Sequence, residues 1–278
     1  MKSKIIKGIS IFCVMIVLLL CSCTGEQTTS VNQTEENSPF VTETTETATA
    51  LTENTTVEAT APPEELNSKT SSSYHNDIEL KGIDISEYSG EVNFEKVKED
   101  GISFVMVRLG GRGYGDSGIL YSDDKALEYI QNAKSAGLKV GGYFFSQSVN
   151  EEEAIEEADY ATAILNGETL DYPIAFDWEE IEDDTARTDN LIDTVLTACA
   201  KAFCNRINEK GYKPMIYAKE NVYNRYNHTE LSEYDVWYAE YTDTPSITEG
   251  YTMWQYSETA TVNGVEGTID LNICYKNY

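Results

Sequence analysis

Positive charge is scarce in this chain. Its 278 residues carry 20 Lys and Arg against 48 Asp and Glu, a net charge of −28. Such a chain repels phosphate backbones, so nucleic acid is excluded as a partner, as is an anionic surface bound by charge alone. A neutral polymer such as a glycan remains open. Histidine is nearly absent: His75 and His228 are the only two, and neither stands in a ligand-spaced cluster with cysteine. No metal centre is expected. The glycine frame that cradles a dinucleotide is missing, since Gly110-Gly111-Arg112-Gly113 lacks the G-x-G-x-x-G spacing and reads as a loop. No cofactor is expected either. Cysteine is sparse, and only Cys199, Cys204 and Cys274 fall in the C-terminal two thirds. Three thiols cannot all pair within one chain. Cys199 and Cys204 lie five apart on a predicted helix and face different directions. Small buried hydrophobes are the expectation, with one bridge to Cys274 as the alternative.

Long apolar runs are missing too. The one near-continuous stretch, Ile9 to Leu20, is too short to span a bilayer. It follows Lys2, Lys4 and Lys7 and ends at Leu20-Cys21-Ser22-Cys23. That order of basic, apolar and small residues reads as a signal peptide over 1–22. The Leu-Cys-Ser-Cys ending resembles the lipobox of bacterial lipoproteins, which implies that Cys23 is diacylated. Residues 23–78 are rich in Thr, Ser, Asn and Glu, with Pro62-Pro63 and one cation, Lys69. Such a segment cannot bury enough surface to offset its ordering entropy and reads as a self-repelling, extended tether. The expected localisation is therefore extracytoplasmic, on the outside of a cell membrane through the lipid.

The remainder, 79–278, has enough length for one domain with a core. Short apolar runs alternate with amphipathic ones. Strands are predicted at Leu80–Ile85, Ser103–Leu109, Leu138–Phe145, Tyr172–Trp178, Lys213–Tyr217, Asp235–Tyr241, Thr252–Tyr256 and Thr268–Leu271. Helices are predicted at Phe94–Asp100, Asp123–Ala136, Asn150–Leu165 and Asp189–Lys210. Asn150 is a natural cap for its helix, with Glu151, Glu152 and Glu153 in the positive first turn. Strand–helix alternation predicts a parallel sheet with crossover helices. After Asp235 the strands have no helix-length linkers. The fold class is α/β: an irregular, TIM-like β/α barrel whose last strands are joined without helices and close in hairpin fashion. An open doubly wound sheet is the alternative.

Chemistry concentrates in Ile174-Ala175-Phe176-Asp177-Trp178-Glu179. Residues two apart on a strand share a face, so Asp177 and Glu179 project side by side. Two acids on one rigid element suit hydrolysis of a glycosidic bond: one protonates the leaving oxygen, the other meets the cationic centre. The plainer alternative is a strand running into an acidic loop, because Glu180, Glu182, Asp183 and Asp184 follow. In barrels, catalytic groups gather at the C-terminal ends of strands. Asp84 and Asp270 fall at strand ends as well, and an acid inside Gly-Ile-Asp-Ile-Ser is costly to bury unless paired or used. The strand aromatics Tyr143, Phe145, Tyr217, Trp254 and Tyr256 could form walls for sugar rings, although core packing is the commoner use of a strand aromatic.

Five motifs in order resemble glycoside hydrolase family 25, the Chalaropsis-type lysozymes. They are Gly82-Ile83-Asp84-Ile85-Ser86, Gly142-Tyr143-Phe144-Phe145, Phe176-Asp177-Trp178-Glu179, Trp254-Gln255-Tyr256-Ser257 and Ile269-Asp270-Leu271-Asn272. The Trp237-Tyr238-Ala239 run adds to them. The resemblance covers essentially all of Leu80 to Tyr278. It implies an irregular β/α barrel and N-acetylmuramidase activity on peptidoglycan glycan strands; separately, a monomer is expected. It makes Glu179 the general acid/base and Asp177 the stabiliser of the developing positive charge, with Asp84 and Asp270 shaping the site. Phe144 departs from the His or Tyr common there; it faces away from Tyr143 and Phe145, so a change in packing or in a subsite is expected, without loss of activity. By strand rise, the Cβ atoms of an i, i+2 pair lie about 6.5–7 Å apart, which matches neither the retaining nor the inverting class and leaves the stereochemical outcome open; assistance by the substrate's acetamido group is the preferred reading. Two other readings compete: a non-catalytic lipoprotein that binds wall glycan, and a glycosidase of chitin-like specificity.

Overall fold

A computed structural model describes residues 78–182 and 184–278. The signal peptide, Cys23 and residues 24–77 of the tether lie outside the described residues. All described residues belong to one compact unit.

The chain closes a barrel of eight strands. β1 (Leu80–Ile85), β2 (Phe104–Arg112), β4 (Lys139–Ser146), β5 (Ile174–Trp178), β6 (Pro214–Lys219), β7 (Asp235–Ala239), β8 (Met253–Ala260) and β9 (Ile269–Cys274) form the wall. A three-residue strand, β3 (Leu120–Ser122), hangs on the end of β2. The order round the barrel is β1-β9-β8-β7-β6-β5-β4-β2, closed by β2 against β1. Every neighbour pair in the wall is parallel except those made by β9, which is antiparallel to both β1 and β8.

Helices cover one side only. α1 (Phe94–Glu99), α2 (Ala126–Ser135), α3 (Glu151–Leu165) and α4 (Asp193–Glu209) lie over the first strands, and α5 (Glu220–Tyr223) is a single turn. Asn150 caps α3 as its sequence suggested, accepting from Glu153 N at 2.9 Å. The apolar stripes of these helices meet the outward residues of β1 to β6, such as Ile83, Val105, Val140, Phe176 and Ile216, in one core. Phe144 is fully buried there against Phe203 and Tyr160, a packing role as expected. Among the described residues, only the single turn α5 packs on β7, through Tyr223 against Tyr238, and β8 has no helix over it. Aromatics cover the sheet instead: Tyr238, Tyr251, Trp254 and Tyr275 cluster on its outer face. The barrel interior is a third cluster, with Phe104, Met106, Tyr172, Met215, Trp237 and Met253.

Three expectations need correction. Gly110 to Arg112 are not a loop. They continue β2 and pair with β3 at Gly110↔Ser122, Gly111↔Tyr121 and Arg112↔Leu120. The glycine permits a close backbone approach: a Cβ on Gly110 would lie 2.2 Å from the Tyr121 carbonyl oxygen. Second, β8 and β9 do form a hairpin, but β7 and β8 are parallel despite having no helix between them. Third, α4 begins at Asp193 and not Asp189; Asp189 instead accepts from Ala186 N in the preceding turn. Cys199, Cys204 and Cys274 are buried and unpaired, as expected. No helix among the described residues is long and apolar enough to cross a membrane.

Candidate active site

The upper interior of the barrel is polar where the lower interior is apolar. A cavity of about 240 Å3 opens there, lined by Asp84, Tyr143, Asp177, Glu179, Tyr217, Lys219, Trp237, Tyr241, Gln255, Glu258 and Asp270. Parallel register places these side chains together. Asp177 stands beside Tyr217 on β6 and Phe145 on β4, and Tyr143 is next to Arg108 of β2. Asp84 faces Asp270 across the antiparallel β1–β9 pair. Asp270 thus reaches the mouth from the start of its strand, because β9 runs downward, and not from its end.

Asp84 is held by an oriented network. Gln255 Nε2 and Asn272 Nδ2 both donate to Asp84 Oδ2, at 2.9 and 2.8 Å. Trp237 Nε1 donates to Asn272 Oδ1 at 2.8 Å, and the hydroxyls of Tyr217 and Tyr241 donate to Gln255 Oε1 at 2.9 and 3.1 Å. Asp270 hydrogen-bonds to Asp84. Burial, and after it the negative charge of Asp84, pushes Asp270 up to about 8. Burial also raises Asp84, against the hydrogen bonds from Asn272 and Gln255. Two facing acids in a buried site disfavour double ionisation, so the pair titrates as a unit with Asp270 raised.

Asp177 is the most confined acid of the pair. It is 5% exposed, and its Oδ1 has no hydrogen-bond partner from the protein. Burial, then the charge of Glu179, holds its carboxyl well above the usual range; Lys219 and Arg108 offset this only in part. Glu179 sits one residue past β5 with its side chain a quarter exposed, and Lys219 Nζ lies 2.5 Å from its Oε2. Lys219 is the one cation among the lining residues.

The structure therefore brings together Asp84, Asp177, Glu179, Asp270, Tyr143 and Tyr217 from the sequence reading. Phe145 shares the face of Tyr143 but stands at the rim, half-buried, outside the cavity lining. Trp254 and Tyr256 do share a face, as alternation predicted, but it is the outer face of β8, away from the cavity, with Tyr256 also lining a neighbouring hollow beside Tyr241 and Glu258. Trp254 is buried in the outer aromatic cluster and donates to the Glu240 carbonyl at 3.0 Å. Tyr256 packs on it at 5.4 Å and lies outside the cavity. Helix-free strands need an apolar cover on the outside, and Trp254 supplies it. The inward residue of the Trp254-Gln255-Tyr256 motif is Gln255. Sequence reasoning missed Gln255, Asn272 and Lys219. All three were within reach of the alternation rule: Asn272 is two from Asp270, Lys219 two from Tyr217, and Gln255 lies between two outward aromatics.

A closed β/α barrel with a polyacidic mouth, an acid pair from one strand and a second pair facing it, is the layout of a barrel glycosidase. The comparisons agree. Residues 83–265 match the model of Glycosyl hydrolases family 25, and the chain belongs to that family. It is 29% identical to the autolytic lysozyme of Clostridium acetobutylicum over 194 residues, covering 69% of this chain and 55% of that protein. This chain thus spans about half the length of that relative. It is 27% identical to lysozyme M1 of Streptomyces globisporus, covering 69% and 67%. Among solved structures it resembles the Clostridium perfringens spore cortex lytic enzyme SleM, with TM-score 0.62 and 26% identity over 73% of this chain and 69% of the other. A family 25 glycosyl hydrolase from Bacillus anthracis shares the fold with TM-score 0.61 and 21% identity, covering 73% and 91%.

Proposed function

We propose that this protein is a lysozyme-type glycoside hydrolase that cleaves the β-1,4 bond from N-acetylmuramic acid to N-acetylglucosamine in peptidoglycan. The observation that carries the reading is the pairing of Asp177 with Glu179 in one cavity at the barrel mouth. The lysozymes among its relatives support the substrate class.

In this reading Glu179 donates its proton to the glycosidic oxygen as the C1–O bond breaks. The substrate's acetamido oxygen attacks C1 and forms an oxazolinium ion. Asp177, whose Oδ1 finds no protein donor, accepts from the acetamido N–H and balances the positive charge. Water then attacks C1, Glu179 takes its proton, and the anomeric configuration is retained. Lys219 must let go of Glu179 for the first step. Asp177 and Glu258 are the other charges that act on it. Asp84, Asp270 and Gln255 hold the floor of the site, and Tyr143 and Tyr217 supply ring surface.

The same reading places the protein outside the cytoplasm, anchored to the membrane through lipid on Cys23, with peptidoglycan as its partner. The test is digestion of purified peptidoglycan followed by identification of the new reducing-end sugar, with Glu179→Gln as control. N-acetylmuramic acid ends from the wild type alone support the proposal. Binding without new ends favours a non-catalytic wall binder, and cleavage of chitin oligomers in preference favours the chitin-like specificity; either overturns it.

A further inference from the structure

Glu179 lies beyond the sheet that positions its partner. The β4–β5 ladder ends at Ser146↔Trp178, and the β5–β6 ladder ends at Asp177↔Tyr217. A catalytic acid just past a strand end has lost the support of backbone pairing. Something else must fix its main chain, because displacement of a reacting group by about 1 Å costs on the order of 100-fold in rate.

One side chain does this. Gln147 follows the last residue of β4 and is fully buried. Its Nε2 donates to the Glu179 carbonyl oxygen at 3.0 Å. Its Oε1 accepts from Thr188 Oγ1 at 2.6 Å, in the segment between β5 and α4. The carboxamide therefore takes the place of the next rung of the ladder and ties the β5 end to the loop that leads away from it. The carbonyl of Glu179 accepts only, so it dictates which end of the amide faces it.

Gln147 is itself immobilised from behind. Its backbone N donates to Glu157 Oε1 at 3.3 Å. Glu157, fully buried on α3, accepts from Ser146 Oγ at 2.6 Å and pairs with Arg112 Nε at 2.8 Å. Arg112 also donates to the Gly118 carbonyl and pairs with Glu156. A buried ion pair of this kind is costly to assemble and contributes little net stability. What it does here is fix the turn after β4 against α3 and the β2 end.

We propose that Gln147 is the positioning residue for Glu179, with Thr188 orienting its amide and the buried Arg112–Glu157 pair anchoring its backbone. The inference rests on the assignment of Glu179 as acid/base. Gln147 touches no substrate; it acts through the Glu179 main chain. Gln147→Glu keeps the shape but presents an acceptor to an acceptor, and Gln147→Leu removes the contact altogether. Thr188→Val removes only the orienting donor.

The test is steady-state kinetics of the full chain on soluble peptidoglycan fragments, across pH, for the wild type, Gln147→Glu, Gln147→Leu, Thr188→Val and Glu179→Gln, with thermal unfolding of each. Both Gln147 variants should lose on the order of 10- to 100-fold in kcat while KM changes little. Their pH–rate profiles should be displaced, since moving Glu179 changes its spacing from Asp177 and Lys219. Thr188→Val should show a smaller loss of the same kind. A smaller folded fraction would lower kcat but leave the profile in place, so an unshifted profile in the Gln147 variants overturns the proposal. So does an unchanged kcat in either folded Gln147 variant. If Gln147→Leu fails to fold, Gln147→Glu and Thr188→Val decide by the same readouts. Retained activity in Glu179→Gln defeats the acid/base assignment instead, so the two failures are told apart.

Discussion

At the scale of single residues, the site is governed by what burial does to carboxyls. The ionised form of a buried acid is disfavoured, and neighbouring negative charge adds to this. Asp177 feels both, so its carboxyl lies well above the usual range. If Asp177 must be ionised to balance the cation, kcat/KM should fall on the acid side at a pH well above ~4. A kcat/KM profile flat from neutral pH down to ~4 would contradict this. Asp177→Asn should lose on the order of 100-fold in kcat, because an amide carries no balancing charge; near-normal turnover in the folded variant would remove Asp177 from the mechanism. Asp270 gives a separate prediction about stability. Its folded pKa of about 8 is raised. Such a group contributes stability that is fully present below its ordinary value of about 3.9 and is lost as pH climbs through the folded value. The unfolding midpoint of the wild type should therefore fall between about pH 5 and about pH 8.5. Asp270→Asn keeps a donor for Asp84 but cannot titrate, so its midpoint should fall less over the same interval. Equal falls would show that Asp270 is not the group responsible.

At the scale of elements, the strands were legible wherever one face was continuously apolar. Leu80–Ile85 and Asn150–Leu165 come out within a residue of expectation because a buried strand and a capped amphipathic helix each carry their own signal. The missed pieces lacked one. β3 is a three-residue edge held by its pairing with Gly110 and Gly111, which no local periodicity reports. The direction of β9 is a tertiary fact: strand patterning gives alternation but not orientation. The acid pair was legible because both residues come from one strand and its immediate end. Gln255 and Asn272 were not, because their purpose appears only when β1, β8 and β9 meet around Asp84. Trp254 shows the limit of the aromatic argument, since a missing helix makes an outer-face tryptophan necessary. Trp254→Ala should therefore cost about 3–5 kcal/mol of stability, measured by denaturant unfolding, while kcat of the folded protein stays within a few-fold of the wild type. A large kcat loss with unchanged stability would return Trp254 to the site.

At the scale of the whole molecule, the barrel gathers acidic side chains at one polar mouth. Five carboxylates line the cavity with one lysine, a surface open to a neutral glycan. Among the described residues no cluster of His, Cys, Asp and Glu could hold a metal ion, and turnover should survive EDTA; chelator-sensitive activity would point to a cation in the acidic segment after Glu179. A chain beginning at Asp77 should be folded and active, and Cys23→Ala should release the full chain from the membrane fraction. Unfolding of the shortened chain, or unchanged membrane association of Cys23→Ala, would refute the reading of residues 1–78. The central claim is cleavage of the muramic acid bond by Glu179. The most direct measurement treats purified peptidoglycan with the full chain, reduces the products with borohydride and identifies the sugar alcohol. The prediction is muramitol from the wild type and none above background from a folded Glu179→Gln protein. Glucosaminitol in its place, or equal muramitol from both proteins, would contradict it.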